Sequence, residues 1–257
     1  MATRSVAVGN RCPVVVTRMA AGSVQAIADP RLILTCKRLI ELGWHAPKVV
    51  EELAASDPRR DSRQIGVLDI CGHAAAFTGG TNRFYAGHIT GEGWLAMANA
   101  VVSQAVVEEM AAAVSDEGPA LEERLMRGIE AGGRAGGQKE GQNSACILVH
   151  ADEPFSHLDL RVDLHDEPIA ELRRICDRIN PLGPYLQERP YNPKIGRDDH
   201  WLVARGFPPP GRHMSRPRGR AAWAARALCS AMRCRMRRTL SSACSARNSA
   251  GSWVVPP

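Results

Sequence analysis

The sequence predicts an α+β fold of mostly antiparallel sheets with helical layers outside. Three observations carry this. First, residues 63–80 hold two short apolar runs joined by Cys71-Gly72, which reads as a tight β-hairpin. Second, 157–165 alternates strictly, with Leu158, Leu160, Val162 and Leu164 on one face and Asp159, Arg161, Asp163 and His165 on the other. Period two is the mark of a half-buried strand. Third, amphipathic helical segments come in pairs between the hairpins rather than singly between strands, which disfavours a parallel sheet with crossover helices.

Residues 5–9 and 14–17 are short β-branched runs and are expected as strands. Asp29-Pro30 opens a helix over 31–42, because proline suits a first turn and Leu32, Cys36, Leu39 and Ile40 share one face. Gly43 ends it. Pro47 starts a second helix, 47–55, with Val49, Val50 and Leu53 inward. The hairpin follows. Both its runs are almost continuously apolar, so both faces of each strand should be covered. The glycines of 84–93 suggest a loop, and 94–102 an extended apolar run. Helical spacing returns over 104–114 and 119–131, while 131–141 holds too much glycine for either regular element. Residues 144–150 read as a strand, and Pro168 opens a last helix over 167–180.

The formal charge of +6 belongs to the end of the chain. Residues 201–257 contain eleven Arg, no Lys and no acid, and taking 11 from the 33 bases leaves 22 against 27 acids, or −5. The expected folded part is therefore mildly acidic and gives no sign of a nucleic-acid partner. The arginine-rich composition reads as a frame-shifted or disordered tail; the alternative is a basic arm that touches phosphates. No apolar run reaches the roughly 18–20 residues that span a bilayer, and no apolar segment of a secretory signal follows Met1. Cys12, Cys36, Cys71, Cys146 and Cys176 lie singly in apolar segments, as small buried residues of a reducing, cytoplasmic protein do.

Familiar catalytic motifs are missing: neither Gly-x-Ser-x-Gly nor His-Glu-x-x-His occurs. The glycine-rich 131–141 segment lacks the Gly-Lys-Ser/Thr of a phosphate loop and precedes a strand. Asp159, Asp163, His165 and Asp166 have metal-ligating chemistry, but Arg161 among them suggests a balanced, solvated strand face, so no metal and no cofactor is expected. His88, in Ala86-Gly87-His88, is a candidate general base, against the plainer reading of a hydrogen-bonded loop histidine. Asn99 lies in an apolar run and would be costly to bury unpaired, so it is either a structural hydrogen-bonder or a donor to substrate.

Several stretches taken in order resemble one family: Arg63-Gln64-Ile65-Gly66-Val67, Ala76-Phe77-Thr78-Gly79, Ala86-Gly87-His88, Ser144-Ala145, Asp159-Leu160-Arg161-Val162-Asp163 and Pro168-Ile169-Ala170-Glu171-Leu172. This is similar to the bacterial and archaeal family known as domain of unknown function 1028 (DUF1028), which has an Ntn-hydrolase-like fold. The resemblance runs from about Ser5 to Ile179. It implies a four-layer αββα sandwich and an enzyme class that uses an N-terminal hydroxyl or thiol, with its own amine as base, on amide or related C–N bonds. Relatives usually begin earlier, with a strand carrying Thr or Ser near its start, so the first strand is expected to be missing here and the terminal nucleophile with it. Where relatives often carry Asp, Arg and Gln, this chain has Gln138, Glu140 and Asn143.

The expected organisation is one αββα domain over 1–185 and an irregular arginine-rich tail over 186–257. The expected function is that of an Ntn-hydrolase-like protein acting on a small-molecule substrate; the alternative is a non-catalytic binding or assembly module on the same fold. Neither excludes a homo-oligomer, and neither calls for a membrane. A pocket is expected at one end of the sandwich, near the first strand, with His88 and Asn99 as catalytic candidates and Asn10 as a substrate contact.

Overall fold

A computed structural model describes residues 1–206 of the chain. Its central strand is β4 (Arg63–Asp69), buried at every position but Leu68. β4 pairs antiparallel with β3 (Ala20–Ala26) on one side and β5 (Ala74–Thr78) on the other, and β2 (Pro13–Val16) extends the sheet beyond β3. The two faces of β4 do different things, as period two requires. Ile65 and Val67 enter an apolar cluster with Cys36 and Ile40 of α2 (Pro30–Glu41) and Val49, Val50 and Leu53 of α3 (Ala46–Ser56). On the opposite face, a Cβ at Gly66 would fall 2.7 Å from Met97 Sδ of β7 (Trp94–Val101), so glycine there sets how closely the sheets stack.

The second sheet layer has two parts. β6 (Tyr85–Gly91) forms an antiparallel pair with β7, and α4 (Ala105–Ser115) covers it with Val106, Val107 and Ala111. β1 (Ala2–Thr3), β8 (Ser144–His150) and β9 (Ser156–Val162) make a three-stranded antiparallel sheet in that order of sequence and of space. Its apolar face packs on Met126 and Ile129 of α5 (Leu121–Arg134) and on Leu172 and Cys176 of α6 (Pro168–Ile179). Helices thus lie outside both sheet layers, and the α+β sandwich expected from the paired helices is present. Among the described residues no helix is long and apolar enough to cross a membrane.

Local expectations hold where the local signal is strong. Asp29 caps α2 with its side chain, accepting the Arg31 amide at 2.9 Å, with Pro30 in the first turn. Four expectations fail, each for a tertiary reason. The 5–9 segment is not a strand: Ala7 is left-handed (φ 54°) and a short helix, α1 (Val8–Arg11), follows. Ser144 holds this bend, its hydroxyl accepting the Val8 amide (3.2 Å) and donating to the Ser5 carbonyl (2.6 Å). The expected loop at 84–93 is mostly β6, because its glycines seat aromatic rings: a Cβ at Gly91 would meet the Trp94 indole of the facing strand at 2.3 Å. The first part of 131–141 is the end of α5, where Gly128 and Gly132 let the helix approach Val114 and Met110 of α4. Leu164, expected inward, is exposed because β9 ends at Val162.

After α6 come α7 (Gly183–Glu188) and α8 (Asp198–Val203). Trp201 and Leu202 are buried against Leu182 and Tyr185 in a satellite cluster separate from the three clusters above. The rest of the expected tail, from 207 onward, lies outside the described residues. Truncation after Asp199 takes Trp201 and Leu202 from the satellite but no described residue from the main clusters. The melting temperature by calorimetry should therefore fall by only a few degrees, and a collapse of the transition would make this segment part of the fold.

Candidate functional site

A cleft of about 430 Å³ opens where the end of β1 meets the end of β7. Thr3, Arg4 and Ser5 form one wall, Asn99 and Ala100 another, and the 138–140 loop closes the bottom with Gln138 and Glu140. That loop is laced to β7 through Val102 N–H to the Gly137 carbonyl (3.1 Å) and Lys139 N–H to the Ala100 carbonyl (2.9 Å). Gln138 is the hub. Its Oε1 accepts the Thr3 hydroxyl (3.0 Å) and the Arg4 amide (2.6 Å), while its Nε2 donates to the Asn99 carbonyl (3.1 Å). Asn143 ties the same strand end from outside, donating from Nδ2 to the Arg4 carbonyl at 2.9 Å.

Two of the lining residues are strained. Ala26 and Ala100 have φ of 66° and 55°, in the left-handed region that costs an alanine about 1–2 kcal/mol. Such strain concentrates at ligand sites, where the surroundings impose it. The charges are Arg4, Arg83 and Glu140, with Glu140 accepting from Arg4 (2.5 Å) and Arg83 (3.1 Å). The hydrogen bond from Arg4, and after it the positive field of both guanidinium groups, outweighs partial desolvation and holds the Glu140 carboxyl below its usual range.

Asn99 lines the cleft, and its Nδ2 donates to Gln64 Oε1 at 3.1 Å. His88 does not line the cleft. Its Nδ1 pairs with the Thr78 hydroxyl at 2.9 Å, and desolvation of the ring pushes its pKa down. The two candidates are nevertheless linked, because Gln64 Nε2 also donates to Thr78 Oγ1 (3.0 Å). Asn10 is exposed on α1 and lies outside the cleft lining, its amide bonded to the Ala7 carbonyl.

Sequence reasoning passed over Gln64, although the signal it used for Asn99 was there too: a neutral polar residue beside an apolar strand run. Gln138 entered only as a departure from the family pattern. Asp159 is engaged by Arg161 through two hydrogen bonds (2.7 and 2.9 Å), and His165 Nδ1 accepts the Glu167 amide. Two of the thiols are poorly placed to act as nucleophiles. Burial pushes Cys36 up to about 12 and Cys12 up to about 11, far from the thiolate form.

No functionally curated protein matches the sequence. Among solved structures, the fold is similar to the crystal structure of protein SPO2555 from Silicibacter pomeroyi, which carries a DUF1028 family assignment. The TM-score is 0.63 with 28% sequence identity, covering 69% of this chain and 80% of that one. The profile of the family of unknown function DUF1028 matches residues 1–172, and the chain belongs to that family.

Proposed function

We propose that the cleft at the end of β1 binds a small polar molecule bearing an amide or related C–N group. The observation that carries this is the hydrogen-bonded set Thr3–Gln138–Asn99 on the cleft wall. Side-chain amides offer a donor and an acceptor side by side, the complement of an amide in the ligand. The volume suits a small-molecule site, and the strained alanines give the wall a fixed shape.

A second reading is hydrolysis of that C–N bond, as the Ntn-hydrolase-like resemblance implies. The Thr3 hydroxyl at the cleft favours it. Yet Thr3 donates its proton to Gln138 Oε1, an amide oxygen and not a base, and Glu140 is held by two guanidinium groups. Nucleophilic attack needs a group that takes the proton away. Binding is therefore the better-supported reading.

The test is calorimetric titration of the full chain with a panel of N-acetyl amino-acid amides, followed by assay of the same mixtures for released amine. Saturable binding weakened at least tenfold by Asn99→Ala and by Gln138→Ala, with melting temperatures kept within a few degrees, is the expected result. Amine release lost in Thr3→Ala would establish the hydrolytic reading. A panel in which nothing binds would sink both.

A further inference from the structure

β4 leaves the cleft at its Arg63 end and finishes at Asp69, about 20 Å away at a rise of roughly 3.3 Å per residue. A different set of side chains meets there. We propose that His45, Asp69 and His73 form a binding site for a divalent transition-metal ion, with Zn²⁺ as the best chemical fit.

The three residues come from separate places. His45 immediately precedes α3, Asp69 ends β4, and His73 closes the turn into β5. Their candidate ligand atoms all lie within 4.8 Å of one another. His73 Nδ1 is 3.1 Å and His45 Nδ1 3.7 Å from the same carboxylate oxygen, Asp69 Oδ2. Ligand atoms around tetrahedral zinc, with bonds of about 2.0–2.1 Å, stand about 3.3 Å apart, so small movements of the rings complete the geometry. Two imidazoles with a carboxylate are a donor set suited to zinc and to neighbouring transition metals.

The carboxylate is already oriented. Asp69 Oδ1 accepts the amides of Cys71 (2.9 Å) and His73 (3.1 Å), and Oδ2 accepts that of Ala46 (3.1 Å). Such outer contacts fix a metal ligand in place before the ion arrives. The Asp69 side chain is only 7% exposed, at the floor, whereas His45 and His73 are 57% and 55% exposed, so an ion can enter from solvent and the rings can turn to meet it. A void of about 20 Å³ adjoins His45 and Asp69. That is room for one water, the natural fourth ligand.

Titration of the metal-free full chain with Zn²⁺ tests the site, in wild type and in a His45→Ala/His73→Ala double variant. The exposed rings can be removed without opening the core, so the metal-free melting temperatures should agree. Wild type should bind one more Zn²⁺ than the double variant. With metal 100-fold above its dissociation constant, wild type should gain about 5 °C or more that the double variant does not. Each single variant should weaken binding at least tenfold. Equal stoichiometry and affinity in wild type and double variant would overturn the proposal. Asp69→Asn is less informative, because it also loosens the turn and the start of α3.

Discussion

Replacing Arg63 by alanine should cost about 3–5 kcal/mol, the usual result of leaving a buried charge without its partner. Arg63 is 3% exposed and Asp57 8%. Arg63 Nε donates to Asp57 Oδ2 at 2.8 Å, Nη2 lies 3.5 Å from Asp29 Oδ2, and Nη1 donates to the Ile27 carbonyl. Asp29 caps α2 and Asp57 ends α3, so one guanidinium at the start of β4 holds the ends of two helices to the sheet they cover. Removing it leaves the buried Asp57 carboxylate with the Arg59 amide but without the guanidinium that neutralises it. At about 2–4 °C per kcal/mol for a chain of this size, the melting temperature should fall by roughly 6–20 °C. The effect carries a pH signature. Burial alone would raise the Asp57 pKa, but the hydrogen bond from Arg63, the Arg59 amide and the field of Arg63 outweigh it and hold the carboxyl low. A carboxyl with a depressed folded-state pKa stabilises the fold above its unfolded pKa of about 3.9 and stops doing so as pH falls through the lower folded value. The gap between wild type and Arg63→Ala should therefore be full at pH 7 and shrink below about pH 4. Urea unfolding at both pH values reads this directly; a gap under 1 kcal/mol at pH 7 would show that the ion pair does not tie the layers.

The elements that were legible are those whose signal is local. Period two in 157–165, the Asp29-Pro30 start and the apolar stripe of α3 depend on residues that are neighbours in sequence, and the elements appear, the strand as far as Val162. The elements that were not legible depend on residues far away. β3, with the composition AAGSVQA, has little strand propensity and becomes a strand because β2 and β4 pair with it on both sides. β6 reads as a loop until the Trp94 ring is seen lying over Gly91. The glycines of α5 look like a break until Met110 and Val114 are seen to need their space. The site divides in the same way. Asn99 was legible because a neutral polar residue inside an apolar strand must find a partner. His88 drew notice as a polar residue in a glycine-rich stretch, but neither its place on β6 nor its contact with Thr78 could be read from it. The His45–Asp69–His73 set was not legible at all, since 23 residues, α3 among them, separate His45 from Asp69.

Gln64→Leu should be the most informative single change, because it alters stability and the cleft together. Gln64 is fully buried, and its side chain serves five partners. Oε1 accepts Gln25 Nε2 (2.7 Å) and Asn99 Nδ2 (3.1 Å), and Nε2 lies 3.0 Å from Thr78 Oγ1, the Gly87 carbonyl and the Ala98 carbonyl. The last two belong to the facing pair Gly87–Ala98, next to where the register of β6 and β7 shifts between Tyr85 and Gly87, so a β4 side chain supplies a donor at the irregular end of the facing ladder. Leucine fills a similar volume but neither donates nor accepts. Each buried polar group left without a partner costs about 1–3 kcal/mol, and the donors of Gln25 and Asn99 lose theirs along with the two carbonyls. Some of these groups will find new partners, so a loss of roughly 3 kcal/mol or more is expected, measured by urea unfolding. The second effect separates a structural glutamine from one that also shapes the site. With Oε1 gone, nothing in the described network fixes the Asn99 amide, and affinity for a cleft ligand should fall nearly as far as in Asn99→Ala. Because Asn99 and Gln64 act through one contact, the double variant should lose little more affinity than either single. Additive losses would mean that the two amides act on the ligand independently, and that Gln64 does not position Asn99.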